Sequence, residues 1–178
     1  MLMEDIPAPV EPVTVNELKA FLRVDGAGED ALLAAFLRSA RAMCEAFTGR
    51  ILIERDFTEV VAGGSDGRRL SAKPVIRVDA VERVEPDGTA TALAADEWTL
   101  VIAADGTGRI TAGAEGERLR VRYPAGLGPD WNAAPEALRQ GILRLAAHFY
   151  SSRDAAGDPG PPAAVAALWR PWRLLRLA

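Results

Sequence analysis

The sequence predicts an α+β fold: a small helical core of three to four helices, an inserted antiparallel β-subdomain, and an extended C-terminal arm. Three observations carry this. Apolar residues recur at helical spacing over 32–47 and 138–149. Between those stretches, from Ile51 to about Pro124, the pattern changes to short β-branched or alternating runs separated by glycine-bearing turns. The chain then finishes on "ALWRPWRLLRLA", two tryptophans, four leucines and three arginines, where termini ordinarily fray into small polar residues.

Along the chain these patterns divide it into an N-terminal arm and core helices (1–50), a β-rich insertion (51–125), a third core helix and linker (126–158) and a docking arm (159–178). Residues 1–13 are proline-rich and read as extended. Thr14 and Glu17 are spaced as a capping box, so a short helix should run to about Phe21. "VDGAGED" interrupts it, its acids placed to suit the positive end of the next helix. That helix carries Leu32, Leu33, Phe36, Leu37, Ala40, Met43, Cys44 and Phe47 at steps of one, three and four, a broad apolar face. Gly49 supplies its left-handed stop.

"DFTEVVA", "VIRVDAVERV", "EWTLVI", "GRITA" and "ERLRVRY" read as strands, with "GGSDG", "PDG", "ADGTG" and "GAEG" as turns. In "RLRVRY", Leu119, Val121 and Tyr123 face one way and Arg118, Arg120 and Arg122 the other, so one sheet face is wet or meets a partner. Pro135 opens a third helix to about Ser152, with Leu138, Ile142, Leu145 and Phe149 as its stripe. "RDAAGDPGPP" is a linker. A short helix should follow from Pro162 to Leu168, after which Pro171 forces Arg170 out of helical geometry.

The 178 residues suffice to bury most of the apolar surface. The single Cys44 cannot form an internal disulfide and reads as a buried hydrophobe in a reducing compartment. Twenty-one Lys and Arg against 25 Asp and Glu give a net charge of −4, which argues against a surface that tracks nucleic acid phosphates throughout. "MLMEDIPAPVEP" lacks the basic start and apolar run of a signal peptide, and no stretch has the length of a membrane span. The expectation is a protein of the cytosol, or of something assembled there.

Chemical motifs are weak. "GGSDG" matches the G-x-S-x-G elbow with Ser65 as nucleophile, yet the sequence after it is polar and then strand-like, and the only histidine, His148, lies in the third helix. "DGAGED" lacks the alternating ligands of a calcium loop. His148 has no second histidine or cysteine pair with which to hold zinc. No phosphate-binding glycine loop is present. No catalytic residue, cofactor-binding residue or metal ligand is assigned, and no enzymatic activity is expected.

The tail is different. Burying Trp169, Trp172 and the neighbouring leucines would gain on the order of 10 kcal/mol gross, at about 25 cal/mol per Å²; left in water they would invite aggregation. Either the tail folds back on its own core or it docks on a neighbouring molecule, where tryptophan and arginine are the residues most enriched at hot spots. A basic membrane-surface helix is weakened by Pro171.

"PVTVNELKAFLRVDGAGEDALLAAFLRSARAMCEAFTGRILI", over Pro12–Ile53, resembles the opening of the phage head–tail connector, or adaptor, family of tailed phages and phage-derived gene transfer agents. "PEALRQGILRLAAHFYSSRD" is similar to that family's later helix. The resemblance implies a non-enzymatic structural protein of the virion or phage-like particle, assembled in the bacterial cytoplasm. It implies a dodecameric ring of this chain that joins the portal protein to the next tail-side connector protein. Double-stranded DNA would pass through the channel without sequence-specific contact, and no membrane is involved. Leu168, Trp169, Arg170, Pro171, Trp172, Arg173, Leu174, Leu175 and Arg176 are the candidates for binding the portal. Arg38, Arg41, Arg118, Arg120 and Arg122 are candidates for the subunit–subunit contact. The alternative is an accessory protein that binds DNA or membrane through the basic tail.

Overall fold

The computed structural model describes the backbone of residues 2–4 and the whole of residues 11–152 and 160–174. Among the described residues are four α-helices and two antiparallel sheets, an α+β fold. Most of the expected N-terminal arm and of the linker 153–162 lies outside them. The chain forms two units, one of Met1–Pro9 with Glu54–Pro129 and one of Val10–Ile53 with Asp130–Ala178.

In the helical unit, α1 (Val15–Leu22) begins on the expected box: the Thr14 hydroxyl accepts the Glu17 N–H at 3.2 Å, and the Glu17 carboxylate accepts the Thr14 N–H at 2.7 Å. α2 (Asp30–Thr48) stops at Gly49, whose φ of 71° suits a residue without Cβ. Leu33, Leu37, Ala40 and Cys44 are buried, whereas Leu32 is exposed, so the face that meets the core is narrower than the apolar run. Burial also pushes the Cys44 thiol far above its ordinary pKa, which keeps it protonated and inert.

α3 (Glu136–Ser151) buries Leu138, Ile142 and Leu145 and packs against α1, α2 and α4 (Ala163–Trp169). Arg139 on α3 fastens the segment before α1: it donates to the Pro12 carbonyl at 3.1 Å and to Glu17 at 2.9 Å, and its guanidinium stacks 4.4 Å from the Trp131 ring centre.

Arg170 departs from expectation. Its φ of −53° and ψ of −41° are helical, and Arg170–Trp172 continue α4 as a 3₁₀ turn. Pro171 lacks only a donor that such a turn can leave unused. The complete burial of Trp169 outweighs the bias against helical geometry before proline.

The other unit holds β1 (Leu2–Glu4), β2 (Arg55–Ala62), β3 (Gly64–Arg69), β4 (Ala80–Val84), β5 (Ala90–Ala92), β6 (Trp98–Ile102), β7 (Gly108–Ala112) and β8 (Arg118–Ala125). They make two sheets, ordered β1-β2-β8-β4-β5 and β3-β7-β6. β8 alternates as its sequence requires, with Leu119, Val121 and Tyr123 buried and Arg118 and Arg122 exposed. "GGSDG" is not a turn: Gly64–Gly67 lie in β3, with a register shift between Gly64 and Arg68. "VIRVDAVERV" is a strand only over Ala80–Val84, preceded by a single bridge from Val75 to Ala125.

Inside this unit Glu59 is a buried carboxylate, and its surroundings explain how that is tolerated. It accepts from the Tyr123 hydroxyl at 2.8 Å, from the Ser71 N–H at 2.9 Å and from the Ser71 hydroxyl. The Tyr123 oxygen in turn accepts the Ala72 N–H at 3.1 Å. Burial pushes the Tyr123 phenol well above its usual range, so it stays a donor.

Candidate functional site

The sequence leaves the C-terminal segment either folded back on its own core or docked on a neighbour, and for Trp169 the helical unit supplies the shelter. Trp169 is fully buried; its indole N–H donates to the Leu138 carbonyl at 3.3 Å and its ring sits 5.8 Å from that of Phe47. It lies over Gly141, where an added Cβ would come 2.7 Å from the indole Cε2. Within this chain the apolar area of Trp169 is removed from water by α2 and α3.

Beyond Trp169 the segment follows the end of α2. Arg50 donates to the Trp172 carbonyl at 3.1 Å, and the Leu174 N–H donates to the Thr48 carbonyl at 2.9 Å. The Arg173 guanidinium stands 5.5 Å from the Phe47 ring centre. What remains outward is Arg170, Pro171, Arg173 and the edge of Trp172, 36% exposed. Leu168 and Leu174 are half-buried. Leu175 and Arg176 lie outside the described residues.

The five candidate contact arginines separate in the same way. Arg41 is buried, donating to Glu11 at 2.8 Å and to Glu45 at 3.2 Å, so it ties the segment before α1 to α2 and is not a surface group. Desolvation raises the Glu11 carboxyl above its ordinary pKa, against the pull of Arg41. Arg38 is exposed on the same helix. Arg118, Arg120 and Arg122 do share one sheet face, where Arg120 and Arg122 each reach the same Glu82 carboxylate at 3.2 Å. Two guanidiniums on one carboxylate leave a net positive charge there.

Ser65 is exposed within a strand, not on the strand-to-helix turn that a nucleophile elbow needs. Among the described residues no group of three or more His, Cys, Asp or Glu could hold a metal ion. No helix among them is long and apolar enough to cross a membrane.

Gly141 is the residue that sequence reasoning missed. A glycine inside a helical stripe costs about 1 kcal/mol against alanine, and such an anomaly signals close approach by another group; here that group is an indole.

No family model and no curated protein matches the chain. Solved particles do. The whole chain aligns with 97% of a chain in the neck of an empty GTA particle computed with C6 symmetry, at 32% identity and a TM-score of 0.82. Over the same extents it matches a chain in the virion of a native gene transfer agent (GTA) particle, at 34% and 0.83. A chain in the neck of a native GTA particle computed with C12 symmetry matches equally fully, at 32% and 0.78. These matches define the class, a phage-like structural protein. The chain belongs to the family of structural proteins built into those gene transfer agent particles.

Proposed function

We propose that the chain is a head–tail connector (adaptor) of a phage-like particle, assembled in the bacterial cytoplasm as a ring, a dodecamer, that joins the portal to the next tail-side protein. The observation that carries this reading is the end-to-end likeness to a neck chain in a particle computed with C12 symmetry. A net charge of −4 is consistent with a ring whose channel passes double-stranded DNA, since a strongly basic lumen would hold phosphates and slow their passage.

Portal binding falls to the tail, with the work divided. Trp169 fixes where the segment leaves the helical unit. Leu168, Arg170, Pro171, Trp172, Arg173, Leu174, Leu175 and Arg176 meet the portal. Association costs about 4–15 kcal/mol in lost freedom, so one such short segment would hold only weakly. Twelve on a closed ring act at high effective concentration and need only a weak contact each.

The test is particle assembly in cells that carry Trp172→Ala, Arg173→Glu and the deletion of residues 175–178, with imaging of the neck. Heads without a ring of this chain are expected. Normal rings in all three would refute tail docking, and a particle assembled with the native chain whose neck holds no copy of it would refute the connector reading.

A further inference from the structure

We infer that the edge of β6 and the arginine face of β8 are the two complementary halves of a head-to-tail contact between copies of this chain. This rests on the ring reading and adds to it which surfaces meet.

β6 is an outer strand of the sheet β3-β7-β6. Native edge strands are blunted by lysine, proline or a bulge. The run Trp98–Ile102 has no lysine or proline and pairs with β7 in unbroken register. Val101 is 64% exposed and Ile102 42%, although both are β-branched and apolar. Along the chain the strand is bracketed by acids, Asp96 and Glu97 where it starts and Asp105 in the turn that follows it; Arg109 of β7, cross-strand from Val101, gives its guanidinium to the Asp66 and Gly67 carbonyls of β3. An apolar edge with acids at both of its ends fits a basic surface with small apolar neighbours.

The chain carries such a surface. On β8, Arg118, Arg120 and Arg122 stand in a row, with Ala62 of β2 opposite Arg118 and Ala80 of β4 opposite Arg122. Glu82 is the carboxylate shared by two of the three, so the row keeps positive charge for an incoming acid. Because one surface meets a different one, the contact is heterologous and repeats around a ring. The contact is expected to weaken with salt, since its charges sit at the rim.

Sedimentation of the full chain at rising concentration tests this. One variant carries Asp96→Lys with Val101→Lys, the other Arg118→Glu with Arg122→Glu; both keep Arg120 and Glu82, although Arg122→Glu gives up its own contact with Glu82, and circular dichroism confirms folding. Each variant alone should self-associate at least tenfold more weakly than the native chain. Mixing the two should restore association, because opposite charges then face each other at every contact. A native chain that stays monomeric, variants that associate like it, or a mixture no better than its parts would each overturn the assignment. Neck images decide the ring itself: a ring there with charge-indifferent association in solution removes these surfaces and leaves the ring standing.

Discussion

The indole of Trp169 fills the space that a side chain at position 141 would need. A Cβ on Gly141 would approach its Cδ1 to 2.8 Å and its Cε2 to 2.7 Å, closer than real Cβ contacts come. α4 therefore sits on α3 as a large side chain over a missing one, and the hydrogen bond to the Leu138 carbonyl orients the ring.

Gly141→Ala should thus destabilise the helical unit although alanine is the better helix former. The intrinsic gain is about 1 kcal/mol, against overpacking of typically about 1–3 kcal/mol. The loosened indole adds to the second figure. Urea unfolding followed by tryptophan fluorescence should show a lower midpoint. In Trp169→Ala, itself destabilising by about 3–5 kcal/mol, the same Gly141→Ala change should cost nothing or help. Additive effects would mean that the two residues are not coupled.

Tyr123→Phe removes one hydroxyl that serves two buried groups. Glu59 loses a donor and the Ala72 N–H loses its acceptor. The expected loss is about 1–3 kcal/mol, the cost of leaving such groups unsatisfied. Glu59→Gln alone should be milder, because an amide oxygen still accepts from Tyr123. Equal or reversed costs in chemical denaturation would show that the hydroxyl is not the organising group.

The sequence made the caps, the β8 alternation and the apolar stripes legible because each is a local pattern: Thr14 and Glu17 lie three residues apart, and Leu119, Val121 and Tyr123 differ by two. It did not reveal what the tail rests on, since Trp169 meets Leu138 and Gly141 across about thirty residues of chain whose path no spacing records. The partners of Arg41 are hidden in the sequence for a related reason. A helix-surface arginine and one that clasps Glu11 look alike until the proline-rich segment before α1 is placed. Glycines also misled in β3, where Gly64 and Gly67 serve a strand with an irregular register and not a turn.

Thr14→Ala should cost about 1 kcal/mol, as for other N-caps. Its signature is wider than a lost cap. The Glu17 carboxylate would lose the Thr14 hydroxyl, which donates to it at 2.8 Å, and would rely more on Arg139 at 2.9 Å. Thermal melts of Thr14→Ala, Arg139→Met and the double variant should show coupling between positions 14 and 139. Strict additivity would break the link from α1 through Glu17 to α3.

Glu11 and Glu17 flank the same short segment and should titrate in opposite directions from the ordinary carboxylate. Backbone and side-chain donation by Thr14, with Arg139 beside it, lowers Glu17. Its contribution to stability is present above the unfolded-state pKa and is lost as pH falls through the lower folded one. Desolvation raises Glu11 despite Arg41. For that group the folded chain binds the proton more tightly, so stability is greatest below the unfolded pKa and declines as pH rises through the folded one. Carboxyl-carbon NMR should place Glu17 below 4.5 and Glu11 above it, 4.5 being the ordinary value. Glu11→Gln should flatten the decline in stability above that pH, while Glu17→Gln should remove part of the acid-side loss. If Glu11 titrates below Glu17, then Arg41, and not burial, governs that carboxylate, and the segment before α1 is held by the ion pair against water instead of being packed away from it.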